Sequence, residues 1–363
     1  MAKYPIVYAR LAALAAILFF LPAAADARHR SNRREDERNW STARGPFEII
    51  VSIAKQQVTI YDQAGPLAHA SISTGMAGHA TPMGVFTVIS KARWHESNIY
   101  SGAPMPYMQR ITWSGIALHA GPRPGYPASH GCIRLPEDFA VKLFHTTKVG
   151  TRVIVTRSPV EPVAIENAKL FVYKTSVPAE ESIKSTLPSA ATVLVDQNTP
   201  STEPKPTAVA ADQPGTSAAQ QAAPSASSQR PISIFVSRKQ QRVFIRQGFT
   251  PLLDLPVTIA EPDRPLGTHV FTALALKDNG KNFRWDVVSI PSSYRQKERH
   301  VARHERDDVG EENPAEVLDR INLPPEAIQK ISALIIPGSS LIVSDNELSD
   351  ETDSDTDFIV LTP

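Results

Sequence analysis

Short apolar stretches separated by turn residues dominate the chain from residue 47 onward. Such stretches occupy residues 47–51, 58–61, 67–72, 85–89 and 152–156. Glycine and proline punctuate them, as at residues 65–66 and 82–84. Strands of four to six residues at this spacing indicate an antiparallel β-sandwich or barrel. The pattern therefore predicts a mainly β fold.

One short helix interrupts the strand pattern. We expect it to begin at Pro136, because proline fits the first helical position. Glu137 and Asp138 then lie in the first turn, where negative charge is favoured. Phe139 and Leu143 share one face of this helix and would pack on the sheet.

The first residues have the order of a secretory signal peptide. Lys3 and Arg10 precede an apolar run that ends in small residues near Ala25 and Ala27. This run is shorter than the roughly 20 residues that span a bilayer, so we expect cleavage rather than a retained transmembrane anchor. We assign residues 1–27 to the signal peptide and residues 28–45 to a disordered lead-in.

A second region repeats the order of the first. Residues 158–230 are rich in Pro, Ala, Ser and Thr, which predicts a linker. Beyond it, Phe235-Val236-Ser237 with Gln241 follows the spacing of Ile50-Val51-Ser52 with Gln56. A helix over residues 325–334 has the place of the first helix. We therefore interpret residues 231–363 as a degenerate copy of a domain at residues 46–157.

Charge and cysteine content exclude several function classes. Lys and Arg number 38 and Asp and Glu number 37, so no net field attracts nucleic acid. The one cysteine, Cys132, excludes a disulfide framework and a Cys-rich metal site. A functionless thiol is a liability outside the cytoplasm, which makes Cys132 a candidate for chemistry.

The candidate chemistry lies in residues 116–135. An apolar strand carries His119, a Gly- and Pro-rich loop turns the chain back, and Cys132 follows Gly131. A thiol attacks as thiolate, so a base must remove its proton or its pKa must be lowered. His119 is the base that this loop brings closest.

Neighbouring residues can support the nucleophile. The amides around His130, Gly131 and Cys132 can point at a developing oxyanion, and Arg134 can hold a carboxylate. Three alternatives stay open. Cys132 can be a buried small hydrophobe, His119, His130 and Cys132 can be zinc ligands, and His130 and Arg134 can have structural roles only.

The segment Ser129-His130-Gly131-Cys132-Ile133-Arg134-Leu135, preceded by Leu118-His119, resembles the active-site signature of the YkuD-type L,D-transpeptidases. Residues 81–86, Thr-Pro-Met-Gly-Val-Phe, resemble that family's Thr-Pro-x-Gly-x-Phe segment. The resemblance implies an L,D-transpeptidase-like β-sandwich or barrel with one short helix. The fold is then duplicated, and the second copy lacks the catalytic cysteine.

The resemblance also implies a function, that of a periplasmic cysteine acyltransferase which cross-links peptidoglycan. Cys132 would attack the meso-diaminopimelate carbonyl of a tetrapeptide stem and expel D-Ala, with His119 as proton donor and acceptor. Ser129, His130 and Gly131 form the supporting and oxyanion loop, and Arg134 binds substrate. No metal or cofactor is expected. The partners are peptidoglycan stem peptides, together with a wall-associated protein that binds an inert second domain.

Two other functions fit the same residues. The thioester can pass to water, which would make the chain an L,D-carboxypeptidase or an amidase-like hydrolase. A protein from a different class, a non-catalytic wall-binding scaffold, would keep the fold without needing Cys132.

Overall fold

The apolar stretches of the N-terminal half form the predicted strands. The computed structural model describes residues 39–99, 102–171, 230–278, 282–291, 312–352 and 356–362. In chain order, the strands of this half are β1 (Glu48–Ser52), β2 (Gln57–Asp62), β3 (Gly65–Ser71), β4 (Gly84–Thr87), β5 (Ser90–Ala92), β6 (Met108–Arg110), β7 (Ala117–Ala120), β8 (Ile133–Leu135), β9 (Arg152–Thr156) and β10 (Val163–Ile165). The predicted helix is α1 (Glu137–Thr146), and Pro136 is its N-cap rather than its first helical residue.

The C-terminal half is also mostly β. Its strands are β11 (Ile232–Ser237), β12 (Arg242–Gln247), β13 (Thr250–Pro256), β14 (Thr258–Ile259), β15 (Thr268–Lys277), β16 (Asn282–Ile290), β17 (Ile321–Asn322), β18 (Ser340–Ser344) and β19 (Val360–Leu361). Its helices are α2 (Pro314–Arg320) and α3 (Pro325–Leu334). The mainly β fold class and the helix at residues 325–334 are confirmed.

Two large sheets share the strand order of their central parts. The first sheet has the order β19-β4-β9-β1-β2-β3, and the second has β10-β16-β15-β18-β11-β12-β13. β1 is parallel to β9 and antiparallel to β2, and β11 has the same relations to β18 and β12. A smaller sheet, β5-β6-β7-β8, carries the candidate site. One face of α1 packs on the core of the N-terminal half.

Each half contributes a short strand to the sheet of the other half. β10 pairs with β16, and β19 pairs with β4. Leu170 and Phe171 are buried in the core of the C-terminal half. The expectation of a linker from residue 158 is therefore corrected, since strand pairing and apolar burial order residues 158–171. The remainder of that predicted linker, residues 172–229, lies outside the described residues.

An apolar layer joins the two halves into one compact unit. Its buried residues are Ile50, Val85, Ile154, Phe235, Val270, Val288, Ile290, Ile342, Phe358 and Val360. A buried polar cluster adjoins this layer, in which Arg152 contacts the Asp357 carboxylate at 3.1 Å. Arg152 also donates to Ser233 Oγ at 3.2 Å and to Ser340 Oγ at 2.6 Å. Arg152, on β9 of the N-terminal half, thus places its guanidinium among hydrogen-bond acceptors of the C-terminal half.

We expected a disordered lead-in at residues 28–45, but its last residues are ordered around the Trp40 side chain. Its ring packs edge-on against Phe139, with the ring centroids 5.6 Å apart. Burying such a large aromatic offsets the entropy of ordering its segment. Residues 28–38, the signal peptide at 1–27 and most of the charged run before α2 lie outside the described residues. No helix in the described part of the chain is long and apolar enough to cross a membrane.

Glu48 should make stability depend on pH. Its carboxyl is buried, and this burial raises its pKa from 4.5 to about 7, although the neighbouring Arg152 opposes the shift. The folded chain thus binds this proton more tightly than the unfolded chain. The associated stability is present below pH 4.5 and is lost as pH rises through 7.

We expect this group to lower the free energy of unfolding by about 3 kcal/mol between pH 4.5 and 7.5. Urea denaturation across this range measures the change. The Glu48→Gln variant, which cannot ionise, should lose less stability over the same range. Equal pH dependence in the two proteins would show that Glu48 does not carry the effect.

Candidate active site

The register between β7 and β8 brings His119 and Cys132 to one face of the small sheet. Leu118 pairs with Ile133, and both side chains are buried in the core of the N-terminal half. Ala117 points to the opposite face, because side chains alternate along a strand, and it packs with Cys132. His119, two residues after Ala117, lies on this same face.

His119 is held in one tautomer. Its Nδ1 atom lies 2.8 Å from the carbonyl oxygen of Ala120. A carbonyl oxygen only accepts, so Nδ1 carries the hydrogen and the lone pair of the neutral ring is on Nε2. Burial lowers the pKa of His119, and the Arg134 guanidinium adds to this effect against the opposing Ala120 carbonyl. A neutral imidazole at physiological pH can act as a general base.

Cys132 is half-buried and favours its neutral thiol. The Sγ atom donates to the carbonyl oxygen of Gly115 at 3.7 Å. Burial raises the pKa of the thiol, while a hydrogen bond from the Ala117 backbone and the guanidinium groups of Arg134 and Arg110 lower it. Because burial is the largest of these effects, the thiol needs a base to remove its proton during attack.

Two arginines from different strands make the site electropositive. Arg134 lies on β8, and Arg110 ends β6 opposite Ala117. Gly121 lies beside Arg134 and His119, since a Cβ there would lie 3.4 Å from both Arg134 Cγ and His119 Cε1. Positive charge on this face favours a thiolate and suits a carboxylate ligand. Sequence reasoning missed Arg110, because the three-residue strand β6 has no recognisable pattern.

Thr81 anchors the loop that carries Cys132. Its buried Oγ1 donates to the carbonyl oxygen of Gly131 at 2.7 Å and accepts from the Gly75 amide at 2.9 Å. Gly131 has a φ of +110°, and a Cβ there would lie 2.6 Å from Ile116 Cδ1. A positive φ of this size favours glycine, whereas the Ile116 side chain could shift. The Thr-Pro-x-Gly segment thus fixes the peptide that precedes the thiol.

Ser129 closes the same loop from its other side. Its Oγ donates to the carbonyl oxygen of Cys132 at 2.5 Å and accepts from the Gly131 amide at 3.1 Å. The Gly131 amide is therefore engaged inside the loop, which differs from the expectation that it faces an oxyanion. Ser129 and Gly131 instead shape the turn that presents Cys132.

His130 lies at the surface beside the loop. Its ring packs edge-on against His79, with centroids 4.7 Å apart. The Pro-rich loop that follows β7 is tied to β3 and to the turn after it. Ser73 Oγ donates to the carbonyl oxygen of Tyr126 at 2.6 Å, and Arg123 donates to that of Ser71 at 3.3 Å.

The zinc alternative finds no donor set among the residues that the structure describes. There, no three or more His, Cys, Asp or Glu side chains are grouped so that they could hold a metal ion.

This chain is similar in sequence to known proteins. The YkuD family, described as the L,D-transpeptidase catalytic domain, matches residues 46–155. YqjB of Bacillus subtilis (strain 168), a protein named as an L,D-transpeptidase, is 35% identical over 154 residues, which cover 37% of this chain and 85% of that protein. The chain belongs to the L,D-transpeptidase family. The family that the sequence predicted is confirmed.

Two further similar proteins cover less of this chain. L,D-transpeptidase 1 of Mycobacterium tuberculosis (strain H37Rv) is 31% identical over 117 residues, 28% of this chain and 47% of that protein. The chain thus spans about half the length of this relative. A crystal structure of an L,D-transpeptidase from Stackebrandtia nassauensis is 23% identical, covers 34% of this chain and 65% of its own, and has a TM-score of 0.29.

Replacing Thr81 by valine should slow the reaction of Cys132 with a carbapenem about tenfold. Valine keeps the shape but removes the hydroxyl that links Gly75 to Gly131, and a small misplacement of reacting groups is costly. The measurement is the rate at which a carbapenem adds to the protein, followed by mass spectrometry. Thr87 is a matched control, because it is fully buried and its hydroxyl has no hydrogen-bond partner among the described residues. If Thr87→Val slows the reaction as much as Thr81→Val, the anchoring role is wrong.

Proposed function

We propose that the chain is a periplasmic L,D-transpeptidase that forms peptidoglycan cross-links through a thioester on Cys132. One observation carries the proposal. Strand pairing puts the thiol of Cys132 and the base His119 on one face of an electropositive sheet in a chain of this family. A wall-binding scaffold would need neither the buried thiol nor the fixed imidazole tautomer.

The proposed first step is acylation. His119 Nε2 takes the thiol proton while Cys132 Sγ attacks the carbonyl carbon of the L-centre of meso-diaminopimelate in a tetrapeptide stem. The tetrahedral intermediate collapses, His119 returns the proton to the leaving amine, and D-Ala departs. The bond from the carbonyl carbon to nitrogen is thus exchanged for a thioester bond to sulfur.

In the second step, the side-chain amine of another diaminopimelate attacks the thioester. His119 takes a proton from this amine and gives it to the departing Cys132 sulfur, which restores both residues. We assign the amide of Cys132 to the oxyanion, since the Gly131 amide is engaged by Ser129. Arg134 and Arg110 are proposed to attract the carboxylates of the stem.

Product analysis tests this proposal. The purified chain is incubated with a tetrapeptide donor, and the products are identified by mass. Transpeptidation predicts a cross-linked dimer and one released D-Ala for each bond formed. A tripeptide without dimer would indicate the L,D-carboxypeptidase alternative, and no reaction with an intact Cys132 thiol would contradict an enzyme of either kind.

We further propose that residues 231–363 are a degenerate copy of the catalytic domain. Two hydrogen bonds support this, since Ile72 donates to the carbonyl oxygen of Gln56 as Val257 donates to that of Gln241. Gln56 and Gln241 also share a positive φ, 47° and 51°. The one cysteine lies in the first half, so this copy cannot form a thioester. A wall-associated protein remains its proposed partner.

A further inference from the structure

Glu351, a charged residue of the C-terminal half, contacts the turn at residues 112–116 beside Cys132. Glu351 lies in the segment between β18 and β19. Its carboxylate accepts from the amide of Trp113 at 2.6 Å and from that of Ser114 at 3.1 and 3.2 Å. Hydrogen bonds from two consecutive amides to an ionised carboxylate are the stronger, charge-assisted kind.

The turn held by Glu351 forms a wall of the thiol site. Thr112 Oγ1 accepts from the Ile116 amide at 2.9 Å and from Ser114 Oγ at 2.9 Å, which closes the turn. The carbonyl oxygen of Gly115, within this turn, accepts a hydrogen bond from the Cys132 thiol. The Ile116 side chain crowds the Gly131 side of the nucleophile loop.

We propose that Glu351 is a positioning residue that holds the turn at residues 112–116 against Cys132. This proposal rests on the proposed function of Cys132 as the nucleophile. It assigns the C-terminal half a part in the catalytic unit, in place of the inert accessory expected from sequence. Without Glu351, the amides of Trp113 and Ser114 would turn to solvent and the Gly115 carbonyl would lose its fixed place.

Two consequences follow for Cys132. Acylation by a bulky donor should slow, because the wall of the site is no longer fixed relative to Sγ. The pKa of the thiol should fall, since the Gly115 carbonyl accepts a hydrogen bond from the protonated form and would no longer be held in place to do so. A general loss of packing would not predict slower acylation together with a lower thiol pKa.

The test uses full-length protein with the variants Glu351→Ala and Glu351→Gln, and with Glu347→Ala as a matched control. Glu347 is an exposed carboxylate of the same segment that pairs with Lys239. Three quantities are measured, which are the carbapenem acylation rate by mass, the pH midpoint of Cys132 alkylation by iodoacetamide, and the thermal unfolding midpoint.

We expect Glu351→Ala to slow acylation about tenfold and to lower the alkylation midpoint. Glu351→Gln keeps an oxygen acceptor without the charge and should give a smaller change of the same signs. Glu347→Ala should match the unchanged chain. A wild-type acylation rate and alkylation midpoint in Glu351→Ala overturn the proposal, and if that variant does not fold, the same result in Glu351→Gln overturns it.

Failure of the proposed function would look different. In that case the unchanged chain itself would not be acylated by the carbapenem. The alkylation midpoint would still report on Glu351, because iodoacetamide needs only the thiolate.

Discussion

A Cys132→Ser variant should gain no carbapenem adduct, whereas the unchanged chain should gain one adduct per molecule. Cys132 is the one thiol of the chain, and a hydroxyl in its place is a far weaker nucleophile beside the same imidazole. Intact-mass measurement after incubation with excess carbapenem gives the yield. The reaction should slow only at acidic pH, below the usual range of a histidine, because burial lowers the pKa of His119 and its neutral ring is the base.

Two histidine variants sharpen this experiment. His119→Ala should slow acylation on the order of a hundredfold, which is the usual contribution of a general base. His130→Ala should have a much smaller effect, since its ring packs on His79 at the surface. An adduct on Cys132→Ser, or a larger loss in His130→Ala than in His119→Ala, would refute these roles.

Residues 46–157 expressed alone should fail to form a stable domain. The reason is the apolar layer in which Ile50, Val85 and Ile154 are buried against the C-terminal half. Separation would also remove β19 from the edge of β4 and leave Arg152 without Asp357. Circular dichroism and urea denaturation of the fragment measure the outcome. This result would differ from the expectation that the second domain is inert.

A single substitution tests the same interface within the full chain. Asp357→Ala leaves a buried guanidinium without its ionic partner, which typically costs about 3–5 kcal/mol in unfolding free energy. Asp254→Ala is the control, because its pair with Arg242 is exposed and screened by solvent, so its loss should change the unfolding free energy far less. A soluble fragment that unfolds cooperatively and is acylated at the normal rate, or equal losses in the two variants, would contradict a shared core.

Local patterns in the sequence predict part of this structure. Apolar alternation places the main strands, and the run around Cys132 identifies the nucleophile with its base His119. Contacts made by distant residues leave no such pattern. Thr81 shows its role only once its hydroxyl lies between Gly75 and Gly131, and Glu351 acts more than two hundred positions from the turn it holds.

The buried polar residues between the two halves are the hardest to predict from the sequence. Glu48 and Arg152 occupy buried positions on strands that otherwise follow the apolar pattern. From sequence they resemble solvent-facing residues, because their burial depends on a second sheet. The strands β10 and β19 have three and two residues, which is too short for alternation to be detected.

The exchange of β10 and β19 also has a consequence for biosynthesis. Until residues 360–361 are made, β4 is an open edge and its neighbouring apolar side chains lack their cover. Open edges and exposed apolar faces invite pairing with other chains. Completion of the catalytic half therefore waits for the last strand of the other half. A premature stop between residues 352 and 359 would then yield an aggregation-prone product, although every residue around Cys132, Glu351 included, had already been synthesised.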